Sequence, residues 1–468
     1  MGLNLIMLKK LFRKKSAVQK NDNKLKRCLS SLDLTLLGIG CIIGTGIFVL
    51  TGIAAATHSG PAIILSFLAS GFACAFAALS YAELSSSVGG CGSAYGYSYV
   101  AFGEFIAWIV GWILLMEYGM SIAAVASGWS GYFNNALVAL NIGLPFSLIN
   151  PPSLGGIINL PASIIILLIM SLLIVGVKES AKFNAVMVFI KISAILIFIF
   201  IAIFNVNPEN WTPFMPYGWF DRLPNGETVG VLAGASIVFF AYVGFDAVST
   251  AAEEAINPRK DLPKGILYSL LICTIFYIIV SGLLTGIVHY SELNVSDPVA
   301  FALDKIGFPW ASALVATGAI FGLATVMLVL FYALTRIIFA MSRDGLLPKK
   351  LSIVNNKTKT PVTVIISTGI FISLVAGFVS LGSLAEIVNI GTLTAFVIVC
   401  IGVIALRHTH NKNTFKNKWH PLVPVLGIIS CSLLMFFLPS DTWIRFLIWI
   451  FIGIMVYFSY SYRHSKLN

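Results

Sequence analysis

Charge is what this chain of 468 residues lacks most. Asp, Glu, Lys and Arg fill only 10% of positions, against 58% apolar residues and a mean hydropathy of +0.93. Soluble domains hold about 25% charged and 45–50% apolar residues, so a water-soluble globule and a disordered chain are both excluded. The net charge of +11 therefore needs another explanation than a nucleic acid partner, and none is expected. Cysteine is sparse and unpatterned. Cys28, Cys41, Cys74, Cys91, Cys273, Cys400 and Cys431 are odd in number, contain no C-x-x-C and lie mostly in apolar runs, as small packing residues do. The six histidines sit mainly in loops; His408 and His410 form an H-x-H with no third ligand nearby, so no metal or other cofactor is expected. Strict alternation of polarity is missing too, which excludes a barrel of ~10-residue strands. No short apolar segment with a cleavage site precedes Leu34, and Ile6 stands where a myristoylation signal needs Ser or Thr.

What the chain has is long apolar stretches, near 33–56, 60–84, 104–138, 161–177, 183–204, 229–253, 263–288, 310–341, 361–379, 383–406, 421–438 and 442–461. Each can cross a bilayer that needs roughly 20 residues per helix. Breakers such as Gly60-Pro61, Asn150-Pro151-Pro152, Asn257-Pro258 and Thr360-Pro361 separate many of them. The fold class is an all-α polytopic membrane protein with twelve transmembrane helices in the lipid bilayer. Lys and Arg orient it: 25 fall on the face of the N-terminus, three (Arg222, Lys305, Arg445) on the other, and Lys191 and Arg336 within spans. Both termini are thus expected in the cytoplasm. The basic run Lys9-Lys10-Leu11-Phe12-Arg13-Lys14-Lys15 reads first as a topology signal, and otherwise as a lipid-binding or regulatory arm.

Two spans are poor candidates for continuous helices. The first contains Gly38-Ile39-Gly40-Cys41-Ile42-Ile43-Gly44-Thr45-Gly46, four glycines at ~1 kcal/mol each relative to Ala. Its spacing is not a dinucleotide fingerprint. Either the glycines pack a helix closely, as in G-x-x-x-G, or the helix unwinds at mid-membrane and turns N–H groups toward an anionic ligand. The sixth span, around Phe239-Phe240-Ala241-Tyr242-Val243-Gly244-Phe245-Asp246, again has a mid-depth glycine, now followed by an acid. Interrupted helices in corresponding places mark a transporter site between two repeats. Five spans per repeat makes the second copy inverted. The expected organisation is an arm (1–32), repeat 1 (33–204), an extracytoplasmic loop (205–228), repeat 2 (229–406), a cytoplasmic loop (407–420), two further spans (421–461) and a tail (462–468).

Ionisable residues at membrane depth are functional by default. Lys191 stands nine residues past Lys182, ~13 Å into the fifth span at 1.5 Å per residue. An amine facing a cavity there can alternate between charged and neutral forms, which makes it a proton-coupling candidate. Glu117, mid-way along the third span, either attracts a cationic substrate group or pairs with another helix. Asp246 either caps the second half of the sixth span, gates the pathway or shares protons. Arg336 and Arg343 read as gate or loop anchors, and Glu253 and Glu254 as solvated partners of nearby basic residues.

Gly38–Phe48 resembles the first-span motif of the amino acid–polyamine–organocation superfamily. Gly244–Glu254 with Asn257-Pro258 and Asp261-Leu262-Pro263, and Ala340–Pro348, look like its cationic amino acid transporter branch. The resemblance implies a leucine-transporter-type fold of two inverted five-helix repeats plus two helices, with alternating access and import of amino acids. It implies that N–H groups around Ile43, Gly44, Thr45 and Gly46 hold the substrate carboxylate. It further implies that carbonyls of Ile42, Phe240, Ala241 and Val243 accept from its ammonium, that Phe240 is an aromatic lid, and that Lys191 is the proton-linked lysine standing in place of sodium. The inner-gate segment Ser86–Gly92 departs from the family, which usually has a proline and fewer glycines before Ser93-Ala94-Tyr95. The resulting reading is a proton-coupled L-amino acid permease of the cell membrane, for cationic or neutral substrates. An exchanger without net proton flow and a non-transporting amino acid sensor are the alternatives. No His-Asp or two-acid constellation suggests an enzyme, and an oligomer or small membrane partner is not legible.

Overall fold

The computed structural model describes residues 11–15, 29–88, 93–175, 181–224, 226–251, 255–355, 360–407 and 416–467. Cys28, Cys91, Lys178, Glu253, Glu254, His408, His410 and the 89–92 part of the inner-gate segment lie outside these residues.

Helix dominates, as a chain poor in charge and rich in Leu, Ile and Phe requires in lipid, where each backbone group needs a partner within its own segment. Eight helical runs are long and apolar enough to cross a membrane, among them Gly46–Ser87, Glu104–Ala139, Pro258–Ile287, Pro309–Arg343 and Leu381–Leu406. Four shorter apolar helices, Ser31–Ile42, Leu160–Val175, Val362–Phe378 and Leu422–Phe436, complete the set. Together they fall on the twelve expected stretches, whose ordinals are kept below. Among the described residues the only strands are Asp221–Arg222 and Thr228–Val229, a small antiparallel hairpin outside the bundle.

The first helix starts at a capping box. Ser30 Oγ accepts from the Asp33 N–H, and the Asp33 carboxylate accepts from the Ser30 N–H at 2.9 Å. Its neighbours are the fifth, seventh and eighth spans. The third span crosses the bundle and packs on the eighth and tenth. Exposed Phe, Leu and Ile of the fourth, fifth, eleventh and twelfth spans (Leu168, Phe189, Phe200, Phe436, Phe451) form the lipid-facing rim. Cys41, Cys74, Cys273, Cys400 and Cys431 are buried free thiols. The first and sixth spans occupy the centre, and both are broken.

Candidate functional site

The break in the first span follows from its glycines. Helix Ser31–Ile42 stops at Ile43, whose ψ of 100° leaves the helical region. A π-helical turn resumes at Gly46–Leu50, and the first bond of this outer half runs from the Phe48 N–H to the Gly44 carbonyl at 3.3 Å. The N–H groups of Gly44, Thr45 and Gly46 therefore stand at a helix start, where partial positive charge collects. In the sixth span, helix Val231–Val238 tightens into a 3-10 turn at Phe239–Tyr242, and Val243 is extended. Gly244 then takes a φ of +115° that only glycine tolerates well, before helix Ala247–Thr250.

The two breaks touch. A Cβ built on Gly46 would lie 2.3 Å from both the Cα and the Cβ of Ala241, so no side chain fits at position 46. The sequence-predicted residues Ile42, Ile43, Gly44, Thr45, Gly46, Phe240, Ala241 and Val243 are all buried here.

Lys191 serves the first break directly. Fully buried, its Nζ donates to the carbonyl of Gly40 at 2.7 Å and of Ile43 at 3.2 Å. Those carbonyls end the inner half-helix, whose C-terminal partial negative charge favours a cation. The lysine stem lies against Gly322 of the eighth span. A residue the sequence reading missed bridges the breaks: Tyr277 of the seventh span points its hydroxyl at the carbonyls of Ile42 (2.8 Å) and Ala241 (2.6 Å). Two carbonyls that the resemblance assigns to a substrate ammonium thus already face a donor, and each has one further lone pair to offer.

The acids lie elsewhere. Glu117 is buried beside Gly391 of the tenth span and interacts electrostatically with Asp246. Thr45 packs against Gly128, eleven residues along the third span from Glu117 and hence ~16 Å away at 1.5 Å per residue. Glu117 belongs with Asp246 and not with the Gly44–Gly46 turn. Asp246 does not cap the second half-helix. It stands at the N-cap position in helical geometry (φ −66°, ψ −28°) with no side-chain capping bond, whereas a cap needs an extended residue to fold its side chain back. Its Oδ2 instead accepts from the Tyr118 hydroxyl at 2.7 Å.

Asn389 was also missed. Fully buried on the tenth span, it donates its amide to the carbonyls of Ser236 (2.7 Å) and Ile237 (3.2 Å), just before the sixth-span break. A lone polar amide in an apolar span is the signal that could have found it. Among the described residues, the buried side-chain atoms without a hydrogen-bond partner include Thr45 Oγ1 beside the Gly44–Gly46 turn and, apart from it, Glu117 Oε2, Asp246 Oδ1 and Asn389 Oδ1, groups of the kind that a polar ligand or water satisfies.

The family model described as amino acid permease matches residues 29–458. The chain belongs to this family. The permease is 49% identical to the methylthioribose transporter of Bacillus subtilis strain 168 over 466 residues, covering 98% of this chain and 99% of that one. It is 47% identical to the branched-chain amino acid permease BcaP of the same organism, with the same coverage. The vacuolar cationic amino acid transporter 4 of Arabidopsis thaliana is 38% identical over 83% of this chain and 65% of its own length. The permease is thus a multi-pass membrane transporter of the amino acid–polyamine–organocation superfamily, and amino acid transport across the membrane, not catalysis, is its function.

Proposed function

We propose that the permease imports amino acids with uncharged side chains together with protons, across the cell membrane, with both termini in the cytoplasm. The observation that carries proton coupling is Lys191, whose ammonium sits on the Gly40 and Ile43 carbonyls at the end of a half-helix. That is where a transported cation would be drawn, so no sodium is required. Deprotonation would leave a neutral amine whose N–H groups hold those carbonyls more weakly, loosening the inner half of the first span, which ties proton loss to opening. The substrate backbone is zwitterionic, and the touching breaks present N–H groups and carbonyls to its two ends. The two inverted repeats supply the rocking of alternating access.

The uncharged class is supported by the full-length relative at 47% identity named for branched-chain amino acids; the one at 49% is named for methylthioribose, which is uncharged but is not an amino acid. The class is also supported by Glu117, which lies with Asp246 away from the turn that faces the substrate carboxylate. A cationic substrate is the second reading, favoured by the unpartnered Glu117 Oε2. In proteoliposomes, an inward proton gradient should drive uptake of leucine, isoleucine or valine, with lysine a poor competitor. Lys191→Ala should abolish the pH-driven part. Uptake by that variant with unchanged proton dependence would overturn the coupling role, and preferential uptake of lysine would overturn the substrate class.

A further inference from the structure

Lys191 has a counterpart in the second half of the chain. It lies on the fifth span and Asn389 on the tenth, the last member of each five-span repeat. Each reaches the carbonyls that end the first half-helix of its own repeat. Lys191 donates to Gly40 and Ile43 at the end of Ser31–Ile42, and Asn389 to Ser236 and Ile237 at the end of Val231–Val238. The last carbonyls of a helix lack partners within it and need donors from elsewhere. The same two-fold relation shows between the fourth and ninth spans. There Ser163 and Ser373 each donate a hydroxyl to the other's carbonyl, at 2.9 and 3.0 Å, as residues facing one another across a two-fold axis do.

The two half-helices enter from opposite faces. Ser31–Ile42 follows the N-terminal arm, and Val231–Val238 follows the hairpin that ends at Val229. Ser66 and Ser70 of the second span donate to the Val231 and Ala235 carbonyls at 2.8 and 2.7 Å. The Val231 and Leu232 N–H groups donate to Gly218 and Trp219 of the preceding loop, and the Gly230 N–H to His58 at the end of the first span. Among the described residues, the hydrogen bonds that tie this half-helix to a span other than the first and second are those of Asn389. Phe239, just past it, meets Phe396 of the tenth span edge to face, a contact that can slide without orphaning a polar group. Val231–Val238 can therefore move off the tenth span together with the second, and the polar bonds it must give up are the two from Asn389. The Asn389 Oδ1 is buried with no partner, a cost that an apolar residue would avoid, so the amide serves here as a donor. Unlike Lys191 it carries no charge to gain or lose.

We propose that Asn389 pins the outer half of the sixth span, Val231–Val238, to the tenth span and keeps the face opposite the termini closed by neutral bonds. Lys191 and Asn389 then divide the two gates, and the proton acts on the first-span gate alone. The proposal rests on the alternating-access reading, yet its test needs no substrate.

Thr45, buried between the first-span break and Gly128 of the third span, is the reporter. In the full-length chain with the seven native cysteines replaced by Ala, Thr45→Cys is labelled with a membrane-impermeant maleimide applied to one face at a time. Adding Asn389→Leu should raise labelling from the face opposite the termini roughly tenfold, the shift expected when two hydrogen bonds of the closed state are lost. Labelling from the face of the termini should not rise. Asn389→Gln keeps the donor and should bring the rate back toward that of the parent. Asn389→Ser is the second variant and should behave as Asn389→Leu does, because a short hydroxyl turns back to its own helix, as those of Thr392 and Thr394 do. Lys191→Ala should raise labelling from the face of the termini instead, and a rise from the opposite face would overturn the division between the two pins. A rate from the opposite face that stays at the parent value in both Asn389→Leu and Asn389→Ser, or an equal rise at both faces, overturns the pin. So does failure of both variants to elute as the parent does, since the residue then holds the fold and not one gate. Failure of the transport reading would show separately, as absent uptake by the wild-type protein.

Discussion

Gly46→Ala tests the contact between the two breaks. The added Cβ would lie 2.3 Å from the Cα and the Cβ of Ala241 and 3.2 Å from its nitrogen. Two methyl-sized carbons approach to about 3.5–4.0 Å at their closest favourable contact, so the breaks must part by more than an ångström. The neighbour is backbone and cannot rotate away. Its strand of the site is pinned further by the Tyr277 hydroxyl on the Ala241 carbonyl. Overpacking of this kind costs about 1–3 kcal/mol, occasionally more, and here it falls on the atoms proposed to meet the substrate.

The expectation is a lower melting temperature in detergent and loss of nearly all uptake. Two comparisons sharpen it. Gly44→Ala has one tight contact, a Val326 methyl at 3.3 Å, with side-chain methyls of Val326 and Leu323 otherwise at 3.7 and 3.9 Å, so that variant should keep most of its stability. Adding Ala241→Gly to Gly46→Ala should restore little, because the Ala241 Cα is as close as its Cβ. Wild-type uptake and melting by Gly46→Ala would refute the contact, and full rescue by Ala241→Gly would refute its backbone character.

Asp297, in the loop before helix Pro298–Lys305, offers a pH test. Burial pushes its carboxyl up to about 6, Asp304 adds to the rise, and the Asn135 amide opposes it. Below about pH 4 the group is protonated whether the chain is folded or not, and it carries no penalty. Between about pH 4 and 6 the unfolded chain loses this proton while the folded protein keeps it, so stability falls across that window, by about 3 kcal/mol once the folded protein too must hold the part-buried charge. Asp297→Asn should therefore raise the melting temperature at pH 7.5 and leave it nearly unchanged at about pH 3, below both pKa values; equal effects at both would count against the burial argument. Asn389→Leu keeps the branched outline of the side chain and strips the donor from the Ser236 and Ile237 carbonyls. A loss of about 1–3 kcal/mol per orphaned group is expected, read as a lower melting temperature with uptake reduced further than Asn389→Gln reduces it.

Most of the fold was legible because hydropathy acts along the chain. A crossing needs a run of apolar residues, and every long helix found lies on such a run. Both breaks were legible because glycine weakens a helix locally, whatever surrounds it. The depth of Lys191 could be counted at a fixed rise per residue. The capping role offered for Asp246 failed because it depends on one residue's dihedral angles, which the sixth-span turn decides.

What only the tertiary structure decided is which residues meet. In lipid every face of a span is apolar, so hydropathy carries almost no information about crossing angle or register between helices. For that reason Tyr277 and Asn389 looked like ordinary span residues, although each holds carbonyls at a break. Glu117 could attract a substrate or pair with another helix, and only folding shows that Asp246 and Gly391 are among its neighbours. The arm's charges were counted correctly as a topology signal, but a count of charge contains no partner. Glu104 and Asp344 became the partners of Arg13 and Lys15 only because folding brings the ends of the third, eighth and twelfth spans together on one face.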